Sequence, residues 1–289
     1  MWIICAIIGA VLNGFYAVFR KKAVVYSNIF FVLAMLASFG FIIISWDFGQ
    51  AVTLSWEYIL LILGKSLIVA LAWLFELVAL KNYMISSLQP FTAVKVVISF
   101  VVAILVFSEP IVWYRFIGVA IIFFGLFFLN KNTKKEDEKV IPSNKARIKC
   151  ITFFILGCVC SECSAIIDKV ALSSISSMQM QWWFMLFVSA FLWIFFFLAC
   201  IKSKKMLVRK IDWKNFYIYL AGAILVLGDQ LFFKSLSEPD SLLSVVSIIK
   251  QISTIVSVIF GAYMFKEPNL KNKLIYLGFI MCGIIIILI

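Results

Sequence analysis

Apolar stretches of about twenty residues, the length that crosses a bilayer core as a helix, fill almost the whole chain, with short polar breaks between them. The stretches are continuous rather than alternating, which excludes the ten-residue pattern of a membrane β-barrel. The pattern predicts ten spans, over residues 2–19, 28–46, 57–80, 85–107, 111–129, 150–170, 180–201, 216–233, 242–265 and 274–289. One long polar stretch, 131–149, stands between the fifth and the sixth. It contains Lys134-Lys135-Glu136-Asp137-Glu138-Lys139 and reads as a solvated cytoplasmic linker between two five-helix units, 1–130 and 150–289.

Those units carry one signature twice. Phe107-Ser108-Glu109-Pro110 closes the fourth span and Phe265-Lys266-Glu267-Pro268 the ninth, 158 residues on; after each proline come fourteen residues and then a glycine, Gly125 and Gly283. A shift of 148 residues superposes Gly9 on Gly157, Ala17 on Ala165 and Lys21 on Lys169, and a shift of 153 superposes Glu76 on Asp229 and Lys81 on Lys234. A unit of five spans is odd, so its second copy enters the membrane upside down. The expected fold is an all-α polytopic membrane protein with ten transmembrane helices as two inverted five-helix repeats, a recurring plan of secondary transporters whose sites lie between the halves.

Composition agrees: 64% of residues are hydrophobic, 14% are charged and thirty are Phe. A soluble core of this length does not bury so much apolar surface. The formal net charge of +12 would suggest nucleic acid in a soluble protein, but no nucleic-acid-binding motif is present. Basic loops facing anionic lipid explain it instead. Twenty of the 26 Lys and Arg fall in or beside the loops after the odd-numbered spans, which puts those loops in the cytoplasm and both termini outside a cytoplasmic membrane. The first span has no charged leader and is expected to stay in place rather than be cleaved.

The short-loop arrangement of five plus five spans, the repeated Glu-Pro and the Gly-rich first and sixth helices, ending in Lys21-Lys22-Ala23 and Lys169-Val170-Ala171, resemble the drug/metabolite transporter superfamily, and within it the EamA-type permeases. The resemblance covers the whole chain. It implies a basket of helices around a central cavity lined mainly by spans one, three, four, six, eight and nine. It does not name a cargo, since related branches carry nucleotide sugars, triose phosphates, amino acids, choline or drugs.

Ionisable side chains at membrane depth are expensive and normally face a partner or a wet cavity. Lys95 and Lys250 stand near mid-depth of the fourth and ninth spans, one per half. They are candidate point charges for an anionic substrate, with internal salt bridges as the alternative. Glu76 and Asp229 are matched carboxylates near the ends of the third and eighth spans, and Glu162 lies mid-way along the sixth opposite Gly14 in the repeat. With no histidine in the chain, proton coupling would use such carboxylates or lysines. Lys65 shares a helical stripe with Glu76, eleven residues on and within roughly 20°, as either a charge ladder or a proton path. Asp168 and Lys169 read as interfacial. Asn13 offers an amide to the cavity or to a neighbouring helix. Trp182, beside Trp183, reads as interfacial belt, with a stacking surface for a ring-bearing substrate as the sharper option. Glu109 and Glu267 are read as corner residues, important for folding or dimer contacts.

Cys158, Cys160 and Cys163 spell C-x-C-x-x-C, but positions two apart point about 200° apart on a helix and no His completes a ligand set, so no metal or other cofactor is expected. The sequence has no phosphate loop or nucleophile elbow, which argues against an enzyme or an ATP-driven pump. The expected function is secondary-active transport of a small organic metabolite, anionic or zwitterionic, by alternating access, with proton coupling or substrate exchange as driving modes. A flippase for a lipid-linked phosphate or sugar head group and a non-transport membrane scaffold subunit are the alternatives. Expected partners are a small-molecule substrate and membrane lipids, with a homodimer left open.

Overall fold

The structure is a computed structural model that describes residues 2–106, 113–140, 144–202, 211–267 and 270–288. Helices make up nearly all of it, and no strand occurs among the described residues. In chain order the helices are α1 (Trp2–Tyr26), α2 (Ile29–Ile44), the short α3 (Phe48–Ala51), α4 (Trp56–Asn82), α5 (Ile85–Leu88), α6 (Ala93–Leu105), α7 (Trp113–Val140), α8 (Asn144–Ala171), α9 (Ser177–Lys202), α10 (Phe216–Ser237), α11 (Leu243–Ile249), α12 (Ile252–Phe265) and α13 (Leu270–Leu288). Among the described residues seven helical segments are long and apolar enough to cross a membrane, and Ile29–Ile44 and Phe116–Gly125 are shorter apolar helices. Large apolar side chains such as Ile4, Leu105, Phe127 and Phe197 stand exposed, which is what lipid-facing positions require.

Two spans that the hydrophobic pattern draws as continuous are each interrupted in their first half. In the first, α5 passes into a 3-10 turn, Gln89–Thr92, before α6 begins. Pro90 has no amide hydrogen to give, which removes one rung of the ladder. The second break lies at Lys250–Gln251, between α11 and α12. There the Gln251 amide bonds back only three residues to the Ile248 carbonyl at 2.9 Å, and the Ser253 hydroxyl takes up the Lys250 carbonyl at 2.6 Å. Ser and Thr hydroxyls that bond to the backbone in this way locally replace the helical ladder.

The polar stretch 131–149 also differs from its expectation. Helix α7 runs on to Val140 and α8 begins at Asn144. Lys and Glu are good helix formers, so a charged run can continue a helix out of an apolar segment. Glu109, Pro110 and Pro268 lie outside the described residues.

Packing is mostly between the first and second units. Helix α1 lies against α10 and α12, α4 against α8 and α9, α2 against α9 and α10, and α7 against α13. Glycines set the closest approaches. A Cβ on Gly9 would come within 3.2 Å of the Gly228 carbonyl oxygen. One on Gly157 would meet Glu76 Cγ at 2.6 Å, and one on Gly283 the Gly118 carbonyl oxygen at 2.6 Å. Small residues that bring backbones together are the usual device for joining helices in lipid, where the hydrophobic effect between them is weak.

Candidate substrate site

Between these helices lies a chamber with two contiguous lobes of about 170 Å3 each. Asn13, Tyr16, Arg20, Glu76, Lys95, Asp229, Phe232 and Lys250 border both lobes. One lobe extends towards Lys65, Trp73, Asp168, Phe184 and Phe233, the other towards Gln89, Thr92, Phe154 and Gln251. Each lobe is below the ~300 Å3 low end of common small-molecule pockets and several times the ~30 Å3 share of one water. The chamber suits a small metabolite.

Six of the sequence candidates meet here: Lys95, Lys250, Glu76, Asp229, Asn13 and Lys65. Their pairing is not the one the helical stripe suggested. Glu76 is bonded by Lys95 through one carboxylate oxygen and by Arg20 through the other, both at 3.1 Å. Lys65 is ion-paired to Asp168 of α8, and its ammonium lies 4.2 Å from the Phe184 ring centroid and 4.6 Å from that of Phe233. Cation and rings together close that end of the chamber. Depth explains the mismatch: Lys65 and Glu76 share a stripe but sit three turns apart, so each meets a different neighbour.

Lys250 is different. Among the described residues it makes no ion pair, and its ammonium stands 4.5 Å over the Phe232 ring. The break between α11 and α12 puts it at the junction of the lobes. Asp229, three residues before Phe232 on the same face of α10, likewise makes no ion pair or hydrogen bond among the described residues.

Glu162 and Trp182 are not among the residues that line the chamber. Glu162 is 3% exposed and accepts hydrogen bonds from Ser99 of α6 and, at 3.2 Å, from Ser247 of α11. It braces the two broken helices together. Trp182 is buried edge-on against Phe41 of α2, ring centroids 5.2 Å apart, and so packs rather than standing free as a belt or stacking surface. Asn13 donates to the Gly9 carbonyl oxygen one turn back at 3.3 Å while bordering both lobes.

Arg20 and Asp168 are the residues that sequence reasoning misplaced, one as a loop cation and the other as interfacial. Both are buried in the chamber wall, at 3% and 7% exposure. The signal was present: the 148-residue shift that lays Lys21 on Lys169 also lays Arg20 on Asp168. Lys21 is buried too. It donates to the Tyr83 carbonyl oxygen at 2.9 Å and to Glu267 at 3.2 Å. Glu267 also accepts from the amides of Ile85 and Ser86, at 2.8 and 3.0 Å, and from the Ser86 hydroxyl. This corner carboxylate therefore caps α5 across the molecule, beyond the role of a local hairpin turn.

Side chains around the two mid-span lysines meet in matched pairs. Thr92 and Ser99 lie three residues before and four after Lys95; Ser247 and Thr254 stand in the same relation to Lys250. Thr92 bonds Thr254 and Ser99 bonds Ser247, each at 2.6 Å.

A helical chain with lipid-facing outer surfaces and a buried, charge-lined chamber at its centre is a multi-pass membrane protein of the transporter class. The sequence model of the EamA-like transporter family matches residues 1–131 and 148–289. The chain belongs to that family and is a membrane transporter of the drug/metabolite type. Among curated proteins none matches at a significant level.

Proposed function

We propose that the protein is a secondary carrier of a small organic metabolite, anionic or zwitterionic, that works by alternating access between two inverted five-helix halves. The observation that carries this reading is Lys250, a lysine that borders both lobes of the chamber without an anionic partner among the described residues. An unpaired ammonium in a half-buried, protein-lined site is unfavourable, and a substrate's acidic group is the partner that would relieve it. Lys95, its equivalent in the first half, is already held by Glu76, so in this state it stores the site's second positive charge. Release of Lys95 from Glu76 would offer that charge to the cargo in another state.

The inverted repeat is supported by the crossed pairs Thr92–Thr254 and Ser99–Ser247. It is also supported by packing in which α1 on α10 is matched by α8 on α4, as a two-fold axis in the membrane plane would require. The positive-inside pattern favours both termini outside a cytoplasmic membrane.

The test is a melting-temperature screen of purified protein against a charge-sorted metabolite library, followed by gradient-driven uptake in proteoliposomes. A ligand that binds the folded state raises its apparent stability in proportion to RT ln(1 + [L]/Kd). Acidic or zwitterionic compounds are expected to stabilise the wild type and not the Lys95→Gln, Lys250→Gln double variant. Stabilisation by cations alone, or undiminished binding in the folded double variant, would refute the reading. Binding restricted to lipid-linked head groups would replace it with a flippase.

A further inference from the structure

The chamber is lined by seven charged side chains: Arg20, Lys65, Lys95 and Lys250, and Glu76, Asp168 and Asp229. Five of these are bonded to one another, as Arg20–Glu76–Lys95 and as Lys65–Asp168. The two that remain are of opposite sign. Asp229 and Lys250 both border both lobes, yet they stand further apart than the 4.0 Å of an ion pair. The ring of Phe232 lies under the lysine and follows Asp229 by one helical turn. Opposite charges that share a cavity and do not meet leave a gap for something that touches both.

We propose that the cargo is a zwitterion, a small molecule with one ammonium and one acidic group, whose ammonium is taken by Asp229 and whose acidic group is taken by Lys250. This deepens the carrier reading above and rests on it. The seven charges leave one excess positive charge, which lies in the Arg20–Glu76–Lys95 triad, whereas Asp229 and Lys250 sum to zero; local balance at that pair separates the three classes of ligand. An anion on Lys250 would take up the cation that shares a cavity with Asp229 and leave the carboxylate uncompensated. A cation on Asp229 would do the converse to Lys250. A zwitterion neutralises both and changes the net charge of the chamber by nothing. Charges in a water-poor site interact far more strongly than in water, so this difference is felt in affinity. The neighbouring polar groups, Asn13, Gln251 and Ser253, supply neutral hydrogen-bonding capacity around the same gap. The 170 Å3 lobes limit the molecule to metabolite size.

The experiment uses the full chain in detergent and triplets of ligands that differ only in charged groups. Each triplet has an α-amino acid, its deaminated acid and its decarboxylated amine: alanine, propionate and ethylamine, with the corresponding sets for leucine and phenylalanine. β-Alanine and γ-aminobutyrate vary the spacing of the two charges. At least one zwitterion is expected to stabilise the wild type, with both of its truncated analogues at least about tenfold weaker, the loss of one charge-assisted hydrogen bond. In Asp229→Asn the deaminated acid is expected to bind as well as the zwitterion, and in Lys250→Gln the amine. An acid that binds wild type as tightly as its zwitterion, with Asp229→Asn neutral, overturns the zwitterion and leaves the anion carrier standing. Amines as the only ligands overturn both. No stabilisation by any zwitterion overturns the inference, while phosphorylated and dicarboxylic compounds in the wider screen decide the carrier reading separately. The wild-type comparison needs no variant to fold, and Asp229→Glu, which keeps the charge, is expected to retain the preference for the zwitterion.

Discussion

Lys95 and Lys250 occupy equivalent places in the two units, each beside a break in its helix and each flanked by the same pattern of hydroxyls, yet one is tied down and the other is not. Lys95 is bonded to Glu76, which Arg20 also holds. Lys250 faces Asp229, the counterpart of Glu76, without reaching it, because the counterpart of Arg20 is Asp168, which is committed to Lys65. One change of sign between matched positions converts a closed triad into an open pair. On the repeat proposed above, divergence at that single position would decide which half is free to bind.

The largest effect that would break this comparison is on stability. Glu76→Gln leaves the buried Arg20 and the half-buried Lys95 without their counter-ion and is expected to cost about 3–5 kcal/mol. Asp229→Asn, which breaks no ion pair or hydrogen bond among the described residues, is expected to cost about 1 kcal/mol or less. Melting temperatures of the two variants without ligand measure the difference; equal losses would mean that the triad is not tighter than the pair.

The lysines should then separate binding from folding. Lys250→Gln is expected to weaken substrate at least about tenfold, the value of one charge-assisted hydrogen bond, with little change in melting temperature. Lys95→Gln is expected to lower the melting temperature more, by the loss of its bond to Glu76, worth about 1.5–3 kcal/mol. Titration of each variant with the best ligand from the screen, beside its ligand-free melt, checks both. The reverse ranking would transfer the site to the first half.

A smaller effect sharpens the comparison at the matched glycines. Gly157→Ala drives a methyl to 2.6 Å from Glu76 Cγ and 3.0 Å from the Ala72 carbonyl oxygen, and so disturbs the triad's own carboxylate. About 1–3 kcal/mol of destabilisation is expected, the usual range for overpacking. Its partner Gly9→Ala meets nothing nearer than the Gly228 carbonyl oxygen at 3.2 Å and is expected to cost less. Parallel melts of the two alanine variants give the order.

Much of this arrangement is legible in the sequence, and the parts that are not have physical reasons. Spans, approximate ends and the cavity lysines follow from hydrophobic runs and the rarity of charge within them. The break beside Lys250 does not, because a hydroxyl or an amide inside an apolar run does not lower its hydropathy enough to show; the one before Lys95 is marked by Pro90, which hydropathy alone passes over. Arg20 reads as loop because it sits next to Lys21 and Lys22; basic runs usually lie outside the membrane, whereas here α1 continues to Tyr26. Asp168 was masked in the same way by Lys169. The pairing of Lys65 with Asp168 depends on which helices adjoin at a given depth, and a single helix's periodicity carries no information about that.

The glycine seams have a consequence for how the protein is made. Gly9 of α1 closes on Gly228 of α10, and these positions leave the ribosome 219 residues apart. At about 5–20 residues per second, the first helix spends roughly 10–45 s in the bilayer before the groove it fits has been synthesised. Its seam stays unpartnered through that interval, although Glu76, the partner of Arg20, follows only 56 residues behind. Biogenesis therefore passes through a stage in which half the molecule is inserted but not assembled, and a membrane chaperone or protease has its best access to the chain then.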